Sequence, residues 1–146
     1  MISNNSRLLR ALTLNAVFSG FSALLMFISG TWLAQQFALS SAVPIYAVAG
    51  FLAVFALQLA NIVRTRTIRS WEITAIISGD IAWVVASAAL VTLYYQSITA
   101  AAVMLVDIVA VAVLFFAIQQ IRGLREFRRL AEAQEAPATG TQALGG

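Results

Sequence analysis

The stretch from Trp71 to Tyr95 contains an acidic residue, Asp80, several residues from either end of a long apolar run. The run is about long enough to cross a bilayer as one helix, because a hydrocarbon core of roughly 30 Å needs ~20 residues. An acid at that depth is rare because it costs about 2.5 kcal/mol or more, and by default it is a functional-site hypothesis. The rest of the chain is therefore expected to supply polar partners for Asp80.

The composition is that of an integral membrane protein. Of the 146 residues, 61% are hydrophobic and only 10% are charged, whereas a soluble domain carries about 25% charged residues. The chain has no Cys, no His and no Lys, which excludes disulfides, thiol nucleophiles and metal or haem sites built on His or Cys. We therefore expect neither an enzyme nor a resident cofactor or metal.

Four apolar runs predict an all-α fold, a transmembrane bundle of four helices. The predicted spans cover residues 8–35, 44–63, 71–95 and 98–121, within a single transmembrane domain of residues 1–132. A cleaved signal peptide is the alternative for the first run, but the run is longer than the usual 7–15 residues and no convincing Ala-x-Ala site follows it. We expect the fourth helix to continue into a short cytoplasmic extension and residues 133–146 to form a disordered tail, because that segment is rich in Ala, Gly, Gln, Thr and Pro.

The positions of the basic residues predict how the chain threads the membrane. All nine are arginines beside apolar runs, and all fall on one side of a four-span arrangement: Arg7, Arg10, Arg64, Arg66, Arg69, Arg122, Arg125, Arg128 and Arg129. Because positive residues stay cytoplasmic, we predict a multi-pass protein of the cell membrane (the inner membrane of a bacterium) with both termini in the cytoplasm. The same distribution argues against a nucleic-acid partner.

Two acids, Asp80 and Asp107, lie several residues from either end of their predicted spans, and we expect both to be buried in the bundle. Measured from the turn at Gln96, Asp80 lies ~25 Å along its helix and Asp107 ~16 Å along the next, at 1.5 Å per residue. Their depths in an untilted hairpin therefore differ by ~9 Å, too far for a shared proton. The spacing argues against a carboxylate dyad.

Neutral polar residues at similar depth are the expected partners of these acids. Counted from the cytoplasmic boundary, Asn15 and Gln58 lie closest in depth to Asp80, so we predict a cluster of these three side chains. Ser87 lies nearer the level of Asp107, and Trp83 lies on the same face of the third helix as Asp80. The candidate intramembrane polar site is thus Asp80, Asp107, Asn15, Gln58, Ser87 and Trp83.

Two functions remain open from the sequence. In one, the protein is an accessory or interaction subunit whose buried acids are hydrogen-bonded packing residues. In the other, it is a small homo-oligomeric carrier coupled to protons or cations through Asp80. The expected partners are the lipid bilayer and either further copies of this chain or a larger membrane protein.

The segments Asn15–Gly20 (NAVFSG) and Gly79–Val84 (GDIAWV) resemble sequences in small four-span bacterial membrane proteins. The resemblance covers most of the chain and implies the same four-span architecture. It carries no activity that could be transferred to these residues.

Single-cysteine labelling tests the predicted threading. The chain has no Cys, so the variants need no background substitution. Because the two connections without arginine are predicted to face outward, Ser41→Cys and Gln96→Cys are expected to react with a membrane-impermeant thiol reagent in intact cells. Thr67→Cys and Ala138→Cys are expected to react only after lysis. External labelling of Ala138→Cys would overturn the arrangement with both termini inside.

Overall fold

The computed structural model describes residues 6–66 and 69–135, and these residues form four α-helices and no strand. The helices are α1 (Ser6–Gln36), α2 (Val43–Thr65), α3 (Ser70–Tyr94) and α4 (Ala100–Glu135). Each is long and apolar enough to cross a membrane, which confirms the predicted all-α bundle of four span-like helices. Most of the expected disordered tail, residues 136–146, lies outside the described residues.

The four helices form two antiparallel hairpins, α1 with α2 and α3 with α4. The two hairpins pack against each other through α1 and α4. Close backbone contacts join α1 to α2, α3 to α4, and α1 to α4. Within the described part of the chain, α2 and α3 make no such contact with each other. The pair α1 and α4 therefore forms the centre of the bundle, with α2 and α3 on its flanks.

The two ends of the bundle differ in composition. One end, which we call the Arg-rich end, carries Arg7, Arg10, Arg64, Arg69 and Arg122. The opposite end, which we call the aromatic end, carries Trp32, Tyr46, Tyr94 and Tyr95. Such aromatic residues are enriched at membrane interfaces, so the composition of this end is typical of a segment at a membrane interface.

Hydrogen bonds tie the two connections at the aromatic end to each other. Thr99 caps α4, because its Oγ1 accepts the backbone N–H of Ala102 at 3.2 Å. The same hydroxyl donates to Oε1 of Gln36 at 2.8 Å, and the Thr99 N–H donates to the Gln36 carbonyl at 3.0 Å. The start of α4 is thereby fixed against the end of α1.

Packing is densest in the half of the bundle at the Arg-rich end. One core cluster there draws on all four helices: Leu8, Leu12, Leu59, Ile62, Ile73, Ile76, Ile77 and Leu124. The buried residues of α3 all lie in its first half, ending at Asp80. Further along α3, the side chains of Leu90 and Tyr94 are exposed. The second half of α3, residues 81–94, contains no buried residue.

A glycine brings the central helices together at the Arg-rich end. A Cβ atom built on Gly123 of α4 would lie 2.9 Å from Cβ and 3.0 Å from Cα of Leu8 in α1. Leu8 is itself fully buried. Because glycine has no side chain, the two backbones can approach more closely than any other residue would allow. This contact fixes the separation of α1 and α4.

Candidate functional site

Asp80 lies inside the bundle near the middle of α3. It follows Ser70, the first residue of that helix, by ten positions, which places it ~15 Å along the helix axis. The side chain is only 5% exposed. Since a hydrocarbon core is roughly 30 Å thick, Asp80 lies close to the midplane expected for a spanning helix.

Two amide side chains from two other helices donate hydrogen bonds to the Asp80 carboxyl group. Nδ2 of Asn15 in α1 lies 2.9 Å from Oδ2 of Asp80, and Nε2 of Gln120 in α4 lies 3.2 Å from the same oxygen. Oγ of Ser19 donates in turn to Oδ1 of Asn15 at 3.2 Å. We call these four buried residues the polar cluster, and they connect α1, α3 and α4.

The predicted pairing of Asp80 with Asn15 is present, but the predicted third member is wrong. Gln58 lies on the exposed surface of α2, because the adjacent Leu59 points into the core and successive helical residues point about 100° apart. Gln120 donates the hydrogen bond to Asp80 that was predicted for Gln58. The sequence does indicate that Gln120 is buried, because it continues the helical spacing of the apolar residues Val113 and Phe116 along α4.

Asp107 was predicted to be the second buried acid, and this prediction is wrong. Its side chain is exposed on the outer surface of α4. It lies seven residues from the start of α4, or ~10 Å along the axis, whereas Asp80 lies fourteen residues from the end of α3, or ~21 Å. The two acids are therefore separated in depth as well as in direction. Within the described residues, Asp107 forms neither a hydrogen bond nor an ion pair.

The two remaining predicted residues, Trp83 and Ser87, are half-buried. Trp83 is half-buried one turn beyond Asp80 and, together with Asp80, lines a small cavity inside the bundle. Ser87 is half-buried further along α3 and does not join the polar cluster. The structure thus brings together Asn15, Asp80 and Trp83 from the predicted set, and leaves Gln58, Ser87 and Asp107 apart.

A small cavity of about 70 Å³ lies beside the Asp80 side chain. All four helices contribute to its wall, which includes Asn15, Ser19, Ser22, Phe51, Phe55, Gly79, Trp83, Val109 and Val113. A space of this size can hold a few water molecules, but binding sites for organic molecules are about 300–1,000 Å³. The cavity therefore suits water or a small ion and excludes an organic solute.

Gln120 keeps one unsatisfied polar atom in the interior. Its Oε1 is buried and has no hydrogen-bond partner within the described part of the chain. An unpaired buried acceptor costs about 1–3 kcal/mol. A side chain at position 80 that donated a hydrogen bond would give this oxygen a partner after rotation of the Gln120 amide. The polar cluster can therefore accept either a carboxylate or an amide at its centre.

The polar cluster contains one acid and neutral partners only. Among the described residues, no group of three or more His, Cys, Asp or Glu side chains could hold a metal ion. What the arrangement can do is satisfy a carboxyl group with N–H donors and join three helices at one point.

Comparisons of the chain with protein-family models, with curated proteins and with solved structures found no match.

Substitutions at Asp80 separate its polarity from its charge. Asp80→Leu leaves the amides of Asn15 and Gln120 without an acceptor, so we expect a loss of about 1–2 kcal/mol in the free energy of unfolding. Asp80→Asn keeps a hydrogen-bonding group and gives Gln120 Oε1 a donor, so we expect it to retain most of the native stability. Thermal unfolding in detergent measures both effects.

Asp107→Leu is the matched control, because it changes the same residue type on an exposed surface. It is expected to leave the stability of the isolated protein unchanged. Equal destabilisation by Asp80→Leu and Asp107→Leu, or none by Asp80→Leu, would contradict the packing role of Asp80.

Proposed function

We propose that this protein is an accessory or interaction subunit of a membrane assembly, in which Asp80 is a packing residue and not a transport site. The observation that carries the proposal is the engagement of one Asp80 carboxyl oxygen by amides from two other helices. A carboxyl group held in this way fixes the arrangement of α1, α3 and α4. It leaves the outer surfaces of the helices as the places where the protein meets other molecules.

The surroundings of Asp80 support a structural role. A transport site must exchange its ion with both sides of the membrane, and this requires access for water. Between Asp80 and the Arg-rich end lies the densest part of the bundle, where Leu12 and Ile76 are buried one turn below the acid. The cavity beside Asp80 is also too small for an organic substrate.

The position of Asp107 supports contact with a partner. Its carboxyl group lies on a surface of α4 that otherwise presents apolar side chains, including Met104, Ile108 and Val111. An acid that faces lipid within a span is costly, and such residues are almost always paired or turned away from lipid. This chain provides no described partner for Asp107, so a second protein that covers the face would relieve the cost.

The chemistry of Asp107 favours a different protein over a second copy of this chain. A suitable partner presents a basic side chain in the third of the membrane nearest the aromatic end. The nine arginines of this chain all belong to the Arg-rich end or to segments beyond it, and Arg122 is ~22 Å from Asp107 along α4. A parallel copy therefore brings no cation to Asp107.

We place the protein in the cell membrane with both termini cytoplasmic.

A second candidate, a homo-oligomeric carrier of protons or small cations, is supported by one observation. The cavity beside Asp80 is lined by all four helices and has room for water. Gly79 offers a specific test, because a Cβ atom built there meets nothing within 4 Å. Gly79 also lines the cavity, so Gly79→Leu adds bulk at the cavity wall without disturbing a packed contact.

Association in native membranes tests the proposed function. Tagged protein is extracted from its native membrane in a polymer that retains lipid, and the mass and composition of the particle are measured. We expect a stoichiometric complex with a different membrane protein. Asp107→Leu is expected to reduce recovery of that protein at least about tenfold, whereas Ala88→Leu, a control at an exposed position of α3 at similar depth, leaves it unchanged.

Two results would count against the proposal. One is a particle that contains only this chain. The other is a proton or cation flux in reconstituted vesicles that Asp80→Asn or Gly79→Leu abolishes without loss of folding, and this flux would establish the carrier.

A further inference from the structure

A groove of about 380 Å³ lies between α1 and α4 at the Arg-rich end, apart from the polar cluster. Its polar wall consists of Arg7, Arg10 and Gln119, and its apolar wall includes Leu14 and Phe115. Neither the polar cluster nor Asp107 takes part in it. The groove is thus a separate feature of the surface, and its chemistry can be considered independently of the proposed function.

The polar wall offers two unpaired positive charges. Arg7 and Arg10 are one helical turn apart, a spacing that places their Cβ atoms ≈ 5–6 Å from each other. Both side chains are exposed, and neither forms a hydrogen bond or an ion pair with another residue in the described part of the chain. Two guanidinium groups at this spacing, beside the amide of Gln119, offer N–H donors of the kind that bind phosphate oxygens.

The apolar wall continues from the arginines toward the middle of the membrane. Leu14 lies one turn further along α1 than Arg10, or ~6 Å deeper, and Phe115 lies beside it on α4. Leu14 is 54% exposed and Phe115 is 52% exposed. The groove therefore changes from charged to apolar along the direction in which a phospholipid changes from headgroup to acyl chain.

Buried contacts hold the groove walls in place. At the Arg-rich end, the close approach of Leu8 and Gly123 fixes the separation of α1 and α4. Phe116 is held in turn by edge-to-face contacts with Phe18 and Phe115, at centroid distances of 5.5 Å and 5.9 Å. A preformed groove loses less entropy when a ligand binds.

We propose that this groove binds an anionic phospholipid, with its phosphate on Arg7 and Arg10 and an acyl chain along Leu14 and Phe115. The lining residues include no carboxylate, so the ammonium group of a zwitterionic lipid would find no counter-charge. A free phosphate would leave the apolar wall uncovered. The two halves of the groove together favour a membrane lipid with a net negative charge.

Lipid retention measured by native mass spectrometry tests the proposal. The native protein is prepared in nanodiscs of phosphatidylcholine with phosphatidylglycerol as the probe. We expect retention of phosphatidylglycerol over phosphatidylcholine, and we expect the double variant Arg7→Gln/Arg10→Gln to weaken phosphatidylglycerol binding about tenfold or more. Arg125→Gln/Arg129→Gln is the matched control, because it removes the same charge from exposed positions at the same end and is expected to leave binding intact.

Further measurements separate the alternatives. Inorganic phosphate at millimolar concentration is expected not to displace the lipid, and Leu14→Asn is expected to weaken lipid binding several-fold. Unchanged thermal unfolding of each variant ensures that the fold is retained. Equal loss of binding in the two double variants would show a general charge effect and overturn the proposal. Retention of phosphatidylglycerol by Arg7→Gln/Arg10→Gln, or complete displacement by phosphate, would also overturn it.

Discussion

The carboxyl group of Asp80 is the constraint on which the arrangement of the helices depends. Hydrocarbon offers no water to a buried polar group, so each such group must find its partner within the protein. Oδ2 of Asp80 finds two, the amides of Asn15 and Gln120. This requirement fixes how α1, α3 and α4 are rotated about their own axes, because any other rotation would separate a donor from the acid.

The polar cluster sets geometry more than it supplies stability. Hydrogen bonds between membrane helices average about 0.6 kcal/mol each, so its two interhelical bonds contribute little over one kcal/mol. Most of the cohesion comes from close packing, in the core near the Arg-rich end and at the contact of Leu8 with Gly123. The cluster selects one way of packing among several that apolar helices could adopt. In contrast, α2 contributes no side chain to the cluster and packs into the bundle through apolar residues such as Leu59 and Ile62.

The sequence predicts the bounds of the helices well. It predicts poorly which side of each helix faces the interior of the bundle. Long apolar runs and interfacial aromatic residues predict four helices close to the observed bounds. The pairing of Asn15 with Asp80 also follows, since depth can be counted along each span. The choice of Gln58 over Gln120 was wrong because a span that is apolar all round carries little information about which side faces inward. The prediction of a buried Asp107 failed for the same reason, since burial depends on which side of α4 packs against α1 and α3.

The exposed position of Asp107 therefore carries different information from the buried position of Asp80. One acid is satisfied within the chain and organises it. The other is exposed on a largely apolar surface of α4, and in the proposed function a partner protein covers it. This contrast between two acids in neighbouring helices supports the proposed interaction subunit.

A double-mutant cycle for Asp80 and Gln120 tests the central claim most directly. The free energies of unfolding of Asp80→Leu, Gln120→Leu and the double variant are measured in detergent, beside the same cycle for Asp80 and Gln58. If Gln120 donates to Asp80, the first cycle gives a coupling of roughly 0.5–2 kcal/mol and the second gives a value near zero. Additive effects in the first cycle, or coupling between Asp80 and Gln58, would contradict the account.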